Sequence, residues 1–493
     1  MIFHKLFESL DLTSWLLVCF VVLILIDLVK YRRPHNFPPG PTPLPIVGNL
    51  FTGSDFKNIN KLSHHYGSVF SMRRGSTWTI YVSGYNMVKE ALVNQLDSFV
   101  DRPVVPLFHV VFKGIGIGLG NGYSWKMHRK FTVTFLRHYG EVQKTYERST
   151  EVESNFLCEA FKEEQGKPFN PHYTVTSAVA NIVTSLVFGR RYEYSDVTYR
   201  RILKLDYDAV VLAGSPVTQL YDVFPSVFKY LPGPHQTVLS NYRQIVKFVE
   251  MQVEKHLEDW NPDNPRDFID AYVAEMKKKK EDPLAEFNLE SLGVVVLDLI
   301  EGGTETVATA FRWSLLFMML FPEIQKKVQE EIDRVVGQSR MPTMVDKPNM
   351  PYTEATIHEC LRVANILPLG FPKMASKDTT LAGFSIPKGT PIVASLSSVL
   401  CDEAEWESPA SFRPERFLDS EGRFNRKNAF LAFSAGKRVC IGETLAKIEL
   451  FVFFTSLLQR FTLTQVPGEE LTMEGILGFT YSPQDHRIMA IPR

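Results

Sequence analysis

The sequence predicts a mainly α-helical protein with small β-sheets, built as one large domain behind an N-terminal transmembrane helix. Three observations carry that prediction. Residues 12–29 are almost wholly apolar. The pattern from Leu289 to Leu320 reads as a single helix, about 32 residues or about 48 Å long. Alternating apolar residues occur only in short stretches, around 67–82 and 383–394.

Composition sets the outer bounds. The chain has 493 residues, Lys+Arg 54 against Asp+Glu 55 for a net charge of -1, and 45% hydrophobic residues with 36 Phe. Length alone would suggest about three domains, yet no composition shift marks separate units. So much apolar side chain fills a large core and excludes global disorder. A near-neutral chain is a poor nucleic-acid binder, because such binding lives on phosphate contacts. Cys19, Cys158, Cys360, Cys401 and Cys440 are odd in number and scattered, with no CxxC pair. That indicates a reducing compartment, and neither a disulfide framework nor a Cys-rich zinc site.

The elements follow in chain order. Eighteen helical residues at 12–29 span about 27 Å, suited to a thin bilayer such as that of the endoplasmic reticulum. Lys30, Arg32 and Arg33 follow directly, whereas Lys5 on the leading side is offset by Glu8 and Asp11. The positive-inside rule then leaves the bulk of the chain in the cytosol. A cleavable signal peptide fits less well, since no small-x-small site follows. The anchor is assigned to residues 1–33. Residues 34–45, with Phe37-Pro38-Pro39-Gly40-Pro41-Thr42-Pro43, read as a stiff extended spacer. The globular domain takes 46–493.

Within it, residues 67–82 form a hairpin across Gly75-Ser76, and a helix starts after Asn86. Ile324, Val328, Ile332 and Val335 mark one face of a helix from Pro322. Strands are expected at 383–386 and 392–394, around Pro387-Lys388-Gly389. The lysine run at 277–280 is a solvated loop or helix end.

The helix from Leu289 is capped by Asn288 and stops before Pro322. Asp298, Glu301, Glu305 and Arg312 would be costly in lipid, so it is a buried central helix rather than a second span. Halfway along lies Glu301-Gly302-Gly303-Thr304-Glu305-Thr306. Two glycines cost about 1 kcal/mol each in a helix interior, and close approach of a flat ligand would offset that. Thr306 can bond back along its own helix and open a local gap.

The stretch Phe433-Ser434-Ala435-Gly436-Lys437-Arg438-Val439-Cys440-Ile441-Gly442 runs straight into a helical pattern from Glu443. A cysteine ahead of a helix start faces unsatisfied N–H groups and the positive dipole end, which favour thiolate. Gly436 and Gly442 permit turns and close backbone approach. Phe433 can cover the sulfur, and Arg438 can pair with an acidic group on a cofactor. A single soft thiolate suits a haem iron better than zinc.

This stretch resembles the cysteine loop of the cytochrome P-450 superfamily, F-x-x-G-x-R-x-C-x-G. Three further stretches fall in the family's order. Gly302-Gly303-Thr304-Glu305-Thr306 is similar to its oxygen-activating helix motif. Glu359-Cys360-Leu361-Arg362 is similar to its E-x-x-R, and Phe412-Arg413-Pro414-Glu415-Arg416-Phe417 to the segment that follows. The anchor, the proline-rich segment, Trp125-Lys126-Met127-His128-Arg129 and Pro322-Glu323-Ile324-Gln325 resemble the microsomal family 2 enzymes.

The resemblance implies the P-450 fold, haem b (iron protoporphyrin IX) with Cys440 as axial ligand, and O2 as co-substrate. It implies electrons from NADPH through cytochrome P-450 reductase, with cytochrome b5 as an occasional donor. One oxygen atom would enter a lipophilic substrate: a fatty acid, a steroid or a foreign compound. Trp125, Arg129 and Arg438 would bind the haem propionates, with Arg102 a weaker candidate and His128 a surface residue. Glu359, Arg362 and Arg416 would form a buried trio locking the cysteine loop. Thr306 would hold and protonate the oxygen, with Glu305 feeding protons through water. Leu119, Gly302 and Leu369 would line the pocket. Lys126, Lys130, Arg137, Lys437 and Lys447 could form a basic docking face.

Two departures stand out. Lys373 follows Pro372 where the family usually has histidine, so its propionate contact would be that of a point charge. Glu301 replaces a small or apolar residue. If it faced the pocket it would favour cationic or strongly polar substrates; the alternative is an internally paired carboxylate. Two other functions use the same cysteine: a haem-thiolate isomerase or dehydratase, and a non-catalytic haem sensor.

Overall fold

The computed structural model describes residues 11–138 and 140–493; of residues 138 and 140–143 it describes the backbone. Lys5 and Glu8, the leading-side charges of the anchor, lie outside the described residues. Within the one large domain expected, the chain divides into two compact units. The first runs up to Pro103 and adds Leu369–Ser398; the second holds Val104–Pro368 and Val399–Arg493. The cause is strand pairing, since the strands completing the first unit's sheet come from the later segment.

In the first unit, α1 (Leu12–Lys30) is long and apolar enough to cross a membrane. Asp11 caps it, accepting from the Ser14 N–H at 2.9 Å. Asp27, the one acid of the span, is buried against Arg73 at 2.8 Å. The helix α2 (Phe56–Tyr66) precedes β1 (Val69–Arg74) and β2 (Thr77–Val82), an antiparallel hairpin around Gly75-Ser76 as expected. Then come β3 (Lys373–Met374), β4 (Thr379–Leu381), β5 (Phe384–Ile386) and β6 (Pro391–Ala394). The sheet order is β1-β2-β6-β3, with β6 parallel to β2. A parallel neighbour needs a long crossover, and here the crossover carries much of the second unit. Ile59, Phe70, Met72 and Tyr81 form a core against which Leu369 packs.

Residues 34–45 do not stand off as a spacer. Prolines cannot donate, but their carbonyls can accept. Ser71 donates its hydroxyl to Pro38 O and its N–H to Pro39 O, both at 2.7 Å. A Cβ on Gly40 would lie 1.8 Å from Ser71 O, so only glycine fits there. The helix expected after Asn86 begins at Tyr85 and passes into a π-helical turn at Glu90–Asn94.

The second unit contains α3 (Gly122–His138), α4 (Gly140–Glu163), α5 (His172–Phe188), α6 (Val197–Ala213), α7 (Pro234–Glu258), α8 (Phe268–Lys278), α9 (Leu289–Leu320), α10 (Pro322–Val335), α11 (Pro351–Ala364) and α12 (Glu443–Arg460). Its strands β7 (Phe461–Gln465) and β10 (Ile488–Pro492) pair, as do β8 (Gly475–Leu477) and β9 (Tyr481–Pro483). The lysine run ends α8, with Lys277 over the Trp260 ring.

The central helix α9 has the bounds its cap and its proline predict, with Asn288 accepting from the Ser291 N–H at 2.9 Å. Its two glycines do different work. A Cβ on Gly303 would sit 2.8 Å from Val183 Cγ2 on α5, whereas one on Gly302 would meet open space. Gly303 thus serves helix packing, and only Gly302 leaves backbone open to a ligand. Gly303→Ala should lower the denaturant midpoint, at a cost of about 1–3 kcal/mol for overpacking. Gly302→Ala should raise it, by about 1 kcal/mol of helix propensity. Equilibrium unfolding of the two variants checks the opposite signs.

Candidate active site

The cysteine loop is a tight reversal ahead of α12. Ser434 and Gly436 both have positive φ, at 63° and 77°. The Cys440 N–H closes the loop on Phe433 O at 3.1 Å. Cys440 is exposed, although neighbouring atoms crowd its sulfur. Burial pushes its thiol up, while N–H groups of Gly442 and Glu443 and the charge of Arg129 pull it down without prevailing. The helix start therefore does not ionise the sulfur by itself, contrary to the expectation from the dipole. Metal ligation requires the deprotonated form, so an iron bound there must supply the remainder. A Cβ on Gly442 would touch Cys440 Sγ at an ordinary 3.8 Å.

Around the loop, Trp125, Arg129 and Arg438 come together. The Arg438 guanidinium lies 3.6 Å from the Trp125 ring centroid, and Arg129 lies 6.0 Å from it. Arg129 donates to Val439 O at 2.6 Å. Arg438 is buried and donates to Ile117 O, Gly120 O and Asn121 Oδ1 at 3.2, 2.6 and 3.1 Å. The loop at 117–121 is held from its other side by Asp298, which accepts from the N–H groups of Ile117 and Gly118 at 2.6 and 3.2 Å. Sequence reasoning missed Asp298 as a loop anchor, seeing only a charge that lipid would reject. Leu119 is buried within this loop.

One atom tests the fit of haem. The Trp125 indole N–H is buried without any partner. A buried donor without an acceptor is rare and costs about 1–3 kcal/mol. A carboxylate arriving between it and two guanidinium groups would supply the acceptor. A soft sulfur beside cations and an unpaired N–H is the donor set that an iron porphyrin with acidic side chains requires, and the residues fit it.

His128 is not a surface residue. It is wholly buried, with Tyr272 Oη 2.8 Å from Nε2 and the Phe287 ring against it. Burial drives it down to about 4, so it is neutral at physiological pH. In the first unit, Arg102 donates to Phe371 O and Pro372 O at 3.0 and 2.7 Å, and Lys373 reaches Phe371 O at 3.4 Å. Both cations are buried and share one carbonyl. Leu369 spends much of its surface on that unit's core.

On α9, the Thr306 hydroxyl donates to Gly302 O at 2.6 Å, and the helix stays continuous through it. Glu305 is buried and accepts from Thr309 and Thr480 at 2.9 and 3.0 Å. Burial and the charge of Asp206 push it up to about 7, against those donors and Arg312. Glu301 has the internally paired environment: Tyr242 donates to its Oε2 at 3.3 Å, and Asp206 is its second partner.

Glu359 and Arg362 are wholly buried and Arg416 nearly so. Arg362 grips Glu359 with two hydrogen bonds of 2.7 and 2.8 Å, and Arg416 adds one of 3.0 Å. The arginines spend their other donors on carbonyls of Leu400, Glu407, Ser408, Pro409 and Ser411. The trio thus fixes the chain at 400–416, upstream of the cysteine loop. Of the basic docking candidates, Lys126, Lys130, Arg137 and Lys437 are exposed. Lys447 is engaged by Glu443 at 2.7 Å.

A family model described as cytochrome P450 matches residues 38–488. The human protein named cytochrome P450 2J2 is 45% identical over 475 residues, covering 96% of this chain and 94% of that one. Cytochrome P450 2J3 of Rattus norvegicus is 42% identical over 487 residues, covering 98% and 97%. Cytochrome P450 2F2 of Mus musculus is 42% identical over 438 residues, covering 88% and 89%. With an exposed cysteine closing a tight loop, cations and an unpaired indole beside that loop, and one family spanning nearly the whole chain, this chain belongs to the cytochrome P450 family and is a haem-dependent monooxygenase that uses O2 on lipophilic substrates.

Proposed function

We propose that the protein inserts one oxygen atom from O2 into a lipophilic fatty acid, steroid or foreign compound, with electrons from NADPH–cytochrome P450 reductase and cytochrome b5 as a second donor. Its anchor (residues 1–33) sits in the endoplasmic reticulum membrane, followed by the segment at 34–45, and the catalytic domain (46–493) faces the cytosol. The observation that most supports this reading is the buried, unpartnered Trp125 N–H beside Arg438 and Arg129. It asks for an anionic group at the cysteine loop.

Haem, when bound, supplies the iron at which O2 is split and one oxygen atom is passed on. Cys440 would hold the iron through its sulfur, and Trp125, Arg129 and Arg438 would hold the acidic side chains of the porphyrin. Phe433 stands at the start of the loop, where its carbonyl accepts from the Cys440 N–H and fixes the turn that presents the sulfur. Gly302 leaves room beside the backbone of α9, and Leu119 adds an apolar wall. Thr306 carries the hydroxyl that can pass a proton, and Glu305, balanced near neutrality, is the group that replenishes it. Lys126, Lys130, Arg137 and Lys437 offer an acidic electron donor a basic face.

The test is turnover of a lipophilic panel by the full chain in lipid nanodiscs, with and without reductase and NADPH. Oxygenated product that requires both supports the reading. Conversion without NADPH would assign an isomerase or dehydratase, and no conversion would assign a haem sensor. Within that assay Thr306→Ala should keep the carbon monoxide spectrum and lower product formed per NADPH about ten- to hundredfold, the scale of a lost proton donor.

A further inference from the structure

The anchor helix meets the first unit at two points. Asp27 is the one buried residue of α1, and its Oδ2 accepts from Arg73 Nη2 on β1 at 2.8 Å. Both side chains are almost wholly covered, Asp27 at 7% and Arg73 at 3% exposure. One turn further on, Tyr31 ends α1 with its N–H on Asp27 O at 3.0 Å. Its own carbonyl accepts from the Trp78 indole N–H on β2 at 3.1 Å. Arg73 and Trp78 are register partners across the hairpin, and side chains directly opposite stand on one face of a sheet. Two neighbours on the sheet therefore grip the helix end at two heights one turn apart, which opposes swivelling. Past the helix, Arg33 donates to Gly40 O at 3.1 Å and lies 5.2 Å from the Trp78 ring centroid.

The same arginine ties down the segment beside it. Arg73 Nη2 also donates to Leu44 O at 2.8 Å. The Arg73 N–H donates to Asn49 Oδ1 at 2.8 Å, and the Asn49 N–H donates to Arg73 O at 2.5 Å. Leu44 is 54% exposed and Phe51, two residues past Asn49, 79%. These are large apolar side chains on a pinned segment. The depth of Asp27 says what covers them. Residues 12–26 precede it in α1 and make about 22 Å of helix, short of the about 27 Å of a thin bilayer. An acid at that depth is costly unless it meets a partner, and Arg73 is the counter-charge that Asp27 meets. The corner of the sheet that supplies Arg73 must then reach the lipid boundary, and Leu44 and Phe51 come with it.

We infer that Asp27 and Arg73 clamp the anchor to the first unit as one rigid body, and that the clamp seats the corner carrying Leu44 and Phe51 on the lipid bilayer. The membrane helix is then no loose tether. It fixes which side of the first unit faces lipid, through an ion pair sheltered from water and so little screened by salt. The inference rests on the reading of α1 as a membrane span.

The experiment uses the haem-loaded full chain in phosphatidylcholine nanodiscs, with Cys401→Ser and nitroxide labels on the native Cys19 of α1 and on Phe51→Cys; Cys19 and Cys401 are both exposed. Asp27→Asn alters no residue of the sheet and leaves Arg73 its bond to Leu44 O, so the domain should keep its carbon monoxide spectrum. The distance between the labels, read by double electron–electron resonance, should form one narrow population in the parent and in Arg73→Lys. That population should be lost in Asp27→Asn and in Arg73→Gln. In the parent the label at residue 51 should be more accessible to O2 than to a water-soluble nickel complex, and Asp27→Asn should lower that ratio. An equally narrow distance in Asp27→Asn overturns the clamp. A label at residue 51 that favours the nickel complex in the parent overturns the lipid seat. A parent chain that alkaline washing strips from vesicles removes instead the reading of α1 as a span, and the label distance then decides on the clamp alone.

Discussion

Glu359→Ala will destabilise the protein by about 3–5 kcal/mol, the range for breaking a buried ion pair by deleting one partner. With total stability of a folded domain near 5–15 kcal/mol, much of the chain will fail to accumulate. Glu359 is the hub: it accepts two hydrogen bonds from Arg362, one from Arg416, and one from the Arg413 N–H at 2.8 Å. Removing it leaves two guanidinium groups buried without a counter-charge. It also frees the backbone at 400–416, whose carbonyls those guanidinium groups hold. Arg416→Ala should cost less, because Arg416 is the more peripheral cation and the Arg362–Glu359 clasp survives. Denaturant midpoints measured with haem content per protein check both the size and the order. Equal midpoints for Glu359→Ala and the parent would show that the trio contributes nothing to stability.

These charges were legible as a group only through the family resemblance, because an E-x-x-R spacing alone reads as a surface pair; elsewhere the fold was legible where local chemistry marks it. The bounds of α9 could be read because both ends carry local chemistry, Asn288 as cap and Pro322 as stop. The hairpin could be read because Gly75-Ser76 breaks an alternating pattern. Burial of His128 could not, because Tyr272 and Phe287, which enclose it, lie far along the chain. Glu301 was ambiguous for the same reason: its partners Asp206 and Tyr242 come from two other helices. The proline-rich segment misled because proline signals an extended backbone without saying what its carbonyls face, and here Ser71 answers them. Asp298 carried a signal of a kind, an acid on a helix too apolar to solvate it. Such an acid needs donors, and the loop at 117–121 provides them as backbone N–H groups.

Cys440→Ser should abolish the thiolate-type carbon monoxide difference spectrum and lower oxidation by more than the roughly 100-fold typical of a change one shell outside a metal. The exchange is nearly isosteric, and the only side-chain contact a Cβ on Gly442 would meet is Cys440 Sγ, at 3.8 Å. The loop itself is closed by backbone, through the Cys440 N–H and Phe433 O, which serine keeps. The fold should therefore survive, with an unfolding midpoint within about 1 kcal/mol of the parent, as isosteric replacements allow. What is lost is ionisation. Even the thiol is held above its ordinary range by burial, with Gly442, Glu443 and Arg129 too weak to reverse it. A serine hydroxyl, far less acidic and a harder donor, would remain protonated in the same setting. The electron release that favours O–O cleavage would go with the thiolate. Survival of both pigment and oxidation in Cys440→Ser would mean that another atom holds the iron.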